Sequence, residues 1–125
     1  MNIQSSIRRR IVIVSGLLLA CAALAQAHTK LEKSAPAAGA TVTAAPRQIQ
    51  LWFNEKIDLA VSKIEVTSAA GKVELAKPKT TDGKSLTAGV TGTIADGTYT
   101  VAWQAAGDDG HVAKGTFKFT VKAAH

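Results

Sequence analysis

Two stretches near the end of the chain leave little choice of secondary structure. In one, Tyr99, Val101 and Trp103 alternate with Thr98, Thr100 and Ala102. In the other, Phe117, Phe119 and Val121 alternate with Thr116, Lys118, Thr120 and Lys122. A period of two puts the large apolar groups on one face of an extended chain and the polar or small groups on the other. This is how a half-buried antiparallel strand reads. The same alternation sets Ile49, Leu51 and Phe53 against Gln48, Gln50 and Trp52. Val61 to Thr67 is rich in β-formers, Ala69-Ala70-Gly71-Lys72 predicts a turn, and Val73 to Leu75 a short extended piece. Lys77 to Lys84 contains Pro78 and Asp82-Gly83 and reads as a loop. Ser85 to Ile94 carries a further strand, and Asp96-Gly97 turns the chain again. No segment after residue 27 holds a 3.6-residue apolar period. Short strands with frequent turns predict an all-β sandwich or Greek-key barrel. Gly97-Thr98-Tyr99 matches the start of a tyrosine corner, a feature of immunoglobulin-like sandwiches. Trp52 and Trp103 are expected in the core.

The beginning of the chain follows other rules. Arg8-Arg9-Arg10 forms a basic head, and Ile11 to Leu24 is an apolar stretch broken only by Ser15 and Gly16. Ala25-Gln26-Ala27 then fits a small-x-small cleavage site. Together these predict a secretory signal over residues 1–27, removed on export. The apolar run falls short of the ~20 residues of a spanning helix, so no stable membrane insertion is expected after cleavage. A rival start exists: Leu18-Leu19-Ala20-Cys21 loosely resembles a lipobox, in which Cys21 would be lipidated and become the N-terminus.

Cleavage after Ala27 leaves residues 28–125 as one domain, a monomer by expectation. Cys21 is the only cysteine and Met1 the only methionine of the chain. The domain therefore has no disulfide, thiol or thioether, and its stability must come from packing. Of the 15 Lys and Arg residues, the arginines at 8, 9 and 10 leave with the signal, so 12 remain against 9 acidic residues. The lysines are scattered in sequence, without runs or aromatic interleaving. That balance reads as solubility and excludes a nucleic-acid footprint.

The histidines carry the chemistry. Cleavage between Ala27 and His28 would give His28 a free α-amine. The amine and the imidazole Nδ1 of one residue can close a six-membered chelate ring on a metal. An internal histidine cannot, because an amide nitrogen has no available lone pair. In Asp108-Asp109-Gly110-His111, an extended backbone would point Asp109 and His111 the same way, with Gly110 allowing adjustment. Amine, two imidazoles and a carboxylate form an N3O set, which suits Cu(II) or Ni(II) in a tetragonal plane. His125, the last residue, is set aside as a ligand. Read singly, His111 is an ordinary surface histidine and Asp-Gly an ordinary turn. Their combination with His28 is what points to a metal.

The chain resembles the CopC-like periplasmic copper-binding proteins at His28-Thr29-Lys30-Leu31, Ser34-Ala35-Pro36-Ala37-Ala38-Gly39 and Pro46. The likeness continues through Ile49-Gln50-Leu51-Trp52-Phe53, Asn54-Glu55 and Gly97-Thr98-Tyr99-Thr100-Val101-Ala102-Trp103. It closes with Asp109-Gly110-His111 and Gly115-Thr116-Phe117-Lys118-Phe119-Thr120-Val121. The resemblance implies a Greek-key barrel or sandwich, immunoglobulin-like or cupredoxin-like, of about seven strands. It implies one Cu(II) per chain, held by His28, Asp109 and His111, in a periplasmic protein that sequesters copper or delivers it to a CopD-type inner-membrane transporter. Glu55 matches an acidic position near the metal in some members, as a weak ligand or an outer hydrogen-bond acceptor. Some members also carry a Met- and His-rich loop for Cu(I). Here Leu75 to Val90 contains neither residue, so a Cu(II)-only site is expected. Four protein donors leave little open coordination, which argues against an enzyme. Two alternatives stand beside this reading. One is a copper monooxygenase using the N-terminal histidine; the other is a metal-free immunoglobulin-like structural or adhesion domain.

Overall fold

The computed structural model describes residues 29–123. The expected signal segment, His28 and His125 lie outside the described residues. Eight strands form among the described residues: β1 (Leu31–Ala35), β2 (Thr41–Val42), β3 (Gln48–Phe53), β4 (Lys63–Ser68), β5 (Gly71–Val73), β6 (Ser85–Gly89), β7 (Gly97–Ala106) and β8 (Val112–Val121). They build one sheet of order β1-β3-β6 and a second of order β2-β8-β7-β4-β5. Every pairing is antiparallel except β2 with β8. The architecture is therefore the sandwich of the two expected forms. The two strand sets are not joined into a closed barrel.

The period-two pattern decides which side of each strand is buried. Ile49, Leu51 and Phe53 of β3, with Leu86 and Ala88 of β6, face the second sheet. That sheet contributes Ile64 and Val66 of β4, Tyr99, Val101 and Ala105 of β7, and Phe119 and Val121 of β8. Tyr99 stacks on Phe119 at a centroid distance of 5.4 Å and 15° between planes. Phe53 meets Trp103 edge-on across the sheets, also at 5.4 Å. The Tyr99 hydroxyl donates to the carbonyl of Ala95 at 2.7 Å, which closes the expected tyrosine corner.

Several local expectations are corrected. Trp103 packs against the core, but Trp52 does not. The alternation of β3 sends Trp52 to the outer face, where Lys33 Nζ lies 5.0 Å from its ring centre. The β-rich run from Val61 begins with a short 3-10 turn, Leu59–Val61, because the Asp58 side chain accepts from the Ala60 N–H and caps it. Gly71 and Lys72 are paired within β5, so the turn is confined to Ala69 and Ala70. The strand expected over Ser85 to Ile94 ends at Gly89.

Candidate metal centre

The long β7–β8 hairpin pairs from Gly97 with Val121 to Ala106 with Val112. It closes on residues 107–111. Gly107 O accepts from Gly110 N at 3.0 Å, and Gly107 N donates to His111 O at 3.2 Å. Gly110 has φ +79°, the left-handed conformation that this kind of hairpin loop demands after its tight turn. The expectation of an extended Asp109–His111 segment is thus corrected: the two residues sit in the turn.

They still converge, by another route. Asp109 Oδ1 accepts from the His111 backbone N–H at 3.0 Å, and Oδ2 lies 2.9 Å from His111 Nδ1. Short acidic side chains favour such local bonds to the backbone two residues on. The bond from the His111 ring, helped by the backbone N–H, holds the Asp109 carboxyl below the ordinary carboxylate range. A depressed carboxyl contributes its pairing at pH values above its unfolded pKa, and loses it as pH falls through the lowered folded value. In a carboxyl NMR titration, Asp109 should protonate below the usual ~3.9, and His111→Ala should raise that midpoint. An Asp109 midpoint unmoved by His111→Ala would contradict the pairing.

Oδ2 and Nδ1 face each other, which limits how both can serve a metal. An ion either replaces the proton between them or takes Nε2 while Asp109 orients the ring.

A second arm reaches this hairpin from the N-terminal side. Lys30 N donates to Asn54 Oδ1 at 2.8 Å, and Asn54 N donates to Lys30 O at 3.1 Å. Thr29 is buried, and its hydroxyl donates to Glu55 Oε1 at 2.5 Å. Both bonds fasten the start of the domain to the end of β3. Glu55 and Thr29 in turn lie against the root of the hairpin loop. A Cβ on Gly107 would come within 2.6 Å of Thr29 Oγ1 and closer still to Glu55 Oε1, so any larger residue there would have to displace that pair. Thr29 also shares a depression of about 230 Å³ with His111, Val112, Ala113 and Lys114.

Of the expected site residues, the fold pairs Asp109 with His111 directly. It engages Glu55 with the Thr29 hydroxyl beneath the hairpin. His28 lies outside the described residues, but its chain neighbour Thr29 is at the site. Thr29 carries no signal of its own in the sequence, because its role depends on the long-range approach of Gly107. Among the described residues, no cluster of three or more His, Cys, Asp or Glu side chains could hold a metal. A metal here needs a further donor.

Known proteins share much of this sequence and fold. A model of the CopC domain matches residues 31–122. Protein YobA of Escherichia coli K12 is 38% identical over 99 residues, covering 77% of this chain and 80% of that protein. The structure of CopC from Methylosinus trichosporium OB3b superposes with a TM-score of 0.72 at 28% identity, covering 78% of this chain and 97% of that one. PcoC, a methionine-rich copper resistance protein from Escherichia coli, superposes at 0.67 with 34% identity, over 77% of this chain and 100% of that one.

Proposed function

The chain belongs to the CopC domain family, and from that premise we propose that it is an exported copper-binding protein of copper resistance, with one Cu(II) site built on His28, Asp109 and His111. Residues 1–27 act as the secretory signal, and the mature domain, residues 28–125, works in the periplasm as a monomer. It sequesters Cu(II) or passes it to a CopD-type transporter of the inner membrane, and it has no catalytic role. The observation that carries this reading is the Asp109–His111 pair, 2.9 Å apart, beside a depression shared with Thr29. The residue before Thr29 in the chain is His28. The missing further donor is then the His28 amine with its imidazole. Nitrogen and oxygen donors suit Cu(II). Unlike the methionine-rich relative, residues 28–125 contain no methionine or cysteine, so Cu(I) is held poorly. Glu55 supports the N-terminal segment through Thr29.

The test is to purify the exported protein, sequence its N-terminus and titrate Cu(II) by electron paramagnetic resonance. The expected result is a chain starting at His28 and one Cu(II) per chain with nitrogen hyperfine structure. A chain starting at a lipidated Cys21 would overturn the site.

The Thr29 hydroxyl gives a finer check. Thr29→Val keeps the shape and deletes the bond to Glu55, so Cu(II) affinity should fall about tenfold, as when a supporting partner of a ligand is removed. Thr29→Ser keeps the hydroxyl and should restore most of it. Equal losses in both variants would point to packing alone.

A further inference from the structure

The lysines that look scattered in sequence are gathered by strand register. Across the five-stranded sheet, Lys63 stands opposite Gln104, and Gln104 opposite Lys114. In the next polar row Glu65, Ala102 and Thr116 stand abreast, followed by Lys72, Thr67, Thr100 and Lys118. Residues directly opposite in an antiparallel ladder share a face. The intervening Ile64, Val66 and Val101 point into the core, so these rows form the outer surface. Lys63, Lys72, Lys114 and Lys118 are exposed on it. The one carboxylate in these rows, Glu65, is paired with Lys72 at 2.7 Å. A shallow depression of about 510 Å³ has Lys63, Lys72 and Lys114 on its walls, with Glu65, held by Lys72, and Trp103 between them.

One end of this face is also apolar. Gln104 Nε2 donates to Val61 O at 2.9 Å and ties the Leu59–Val61 turn to the sheet beside the Asp109–His111 hairpin. Leu59, Val61 and Val112 there remain 37%, 39% and 48% exposed.

We propose that this lysine face docks on an anionic phospholipid bilayer. The lysine ammoniums meet lipid phosphates by charge complementarity, and a headgroup fits the depression between Lys63, Lys72 and Lys114. The exposed aliphatic groups at the edge enter the headgroup and acyl boundary, as apolar groups flanked by cations do. A folded protein partner suits this face less well. Protein interfaces are depleted in lysine, and their energetic centres favour Trp, Tyr and Arg; of these only Trp103 reaches the wall of the depression, with its ring packed edge-on against Phe53. Attraction to an extended charged plane asks only for cations at the surface. Docking in this way sets the β7–β8 hairpin at the margin of the membrane contact. The inference stands whether or not the chain binds copper.

The test uses the purified exported protein and sedimentation with vesicles of equimolar phosphatidylglycerol and phosphatidylcholine, against phosphatidylcholine alone. Binding is expected only to the anionic vesicles at about 0.05 M salt, with release at about 0.5 M as screening shortens. A lysine near an anionic surface contributes on the order of fivefold in partitioning. The triple variant K63Q/K114Q/K118Q should therefore weaken binding roughly 100-fold. K30Q/K33Q/K84Q removes the same charge from in and beside the three-stranded sheet and should change binding by less than about fivefold. Circular dichroism and a thermal melt confirm that both variants are folded. No binding to anionic vesicles, or equal weakening by the two triple variants, would overturn the proposal. Retention by an acidic protein without vesicle binding would do so as well, in favour of a protein partner.

Discussion

One alanine added ahead of His28 in the exported chain should remove most of its affinity for Cu(II). The addition turns the α-amine into an amide, which has no lone pair to give. It also breaks the six-membered chelate ring that amine and Nδ1 close together. Two proposed equatorial donors are disturbed by a change that touches no packed side chain. The loss should be roughly 100-fold or more, which is ~2.7 kcal/mol of binding free energy. Nitrogen hyperfine structure in the copper spectrum should simplify at the same time. The metal-free protein should melt unchanged, because Thr29 keeps its bond to Glu55 and Lys30 keeps its pair with Asn54. An unchanged affinity would remove the amine from the ligand set. It would leave Asp109 and His111 to be completed by something else. The measurement needs a competing chelator so that tight binding is resolved, at fixed pH, since protons compete for every proposed nitrogen.

The largest effect on folding is expected at Phe119. The residue is 1% exposed and stacks on Tyr99 in the middle of the core. Phe119→Ala removes a whole ring and leaves a cavity that strands cannot close without losing register. Such truncations remove about 3–5 kcal/mol, against a total of about 5–15 kcal/mol for a typical domain. No cysteine lies after residue 21, so no disulfide is available to offset the loss. The melting temperature should fall by about 15–30 °C, with the variant partly unfolded at body temperature. Phe119→Leu should lose much less, since it refills most of the volume. A drop of only a few degrees for Phe119→Ala would mean that the two sheets carry far less of the stability than their packing suggests.

The fold was legible where large apolar residues alternate without interruption. Tyr99 to Trp103, Phe117 to Val121 and Ile49 to Phe53 all appear as strands with the expected face inward. Trp52 shows where residue type misleads. Its size suggested the core, yet its place in the alternation put it outside, and alternation prevailed. The 3-10 turn at Leu59–Val61 was hidden because its apolar residues look like β-formers, and the Asp58 cap that decides the matter is a local polar contact. At the candidate site, the partnership of Asp109 and His111 was readable from spacing, but its geometry was not. Convergence was argued for an extended backbone, whereas Gly110 makes a turn. Thr29 and Gly107 were invisible for a physical reason: their roles arise from a contact between segments some eighty residues apart. The lysine face was hidden in the same way. Lys63, Lys114 and Lys118 are neighbours only once register sets β4, β7 and β8 side by side.

The ends of most domains fray, but here the first described residue is pinned by its own side chain to Glu55, close against the root of a distant hairpin. This end therefore resembles a key cut to a fixed length and seated in a lock. On the proposed reading, its value would depend on where a peptidase cuts, a decision made outside the domain. A cut one residue early would leave every packed contact from Thr29 onward in place, including the bonds of Thr29 to Glu55 and of Lys30 to Asn54. The accuracy of processing, more than the accuracy of folding, would then set what fraction of the exported molecules is competent.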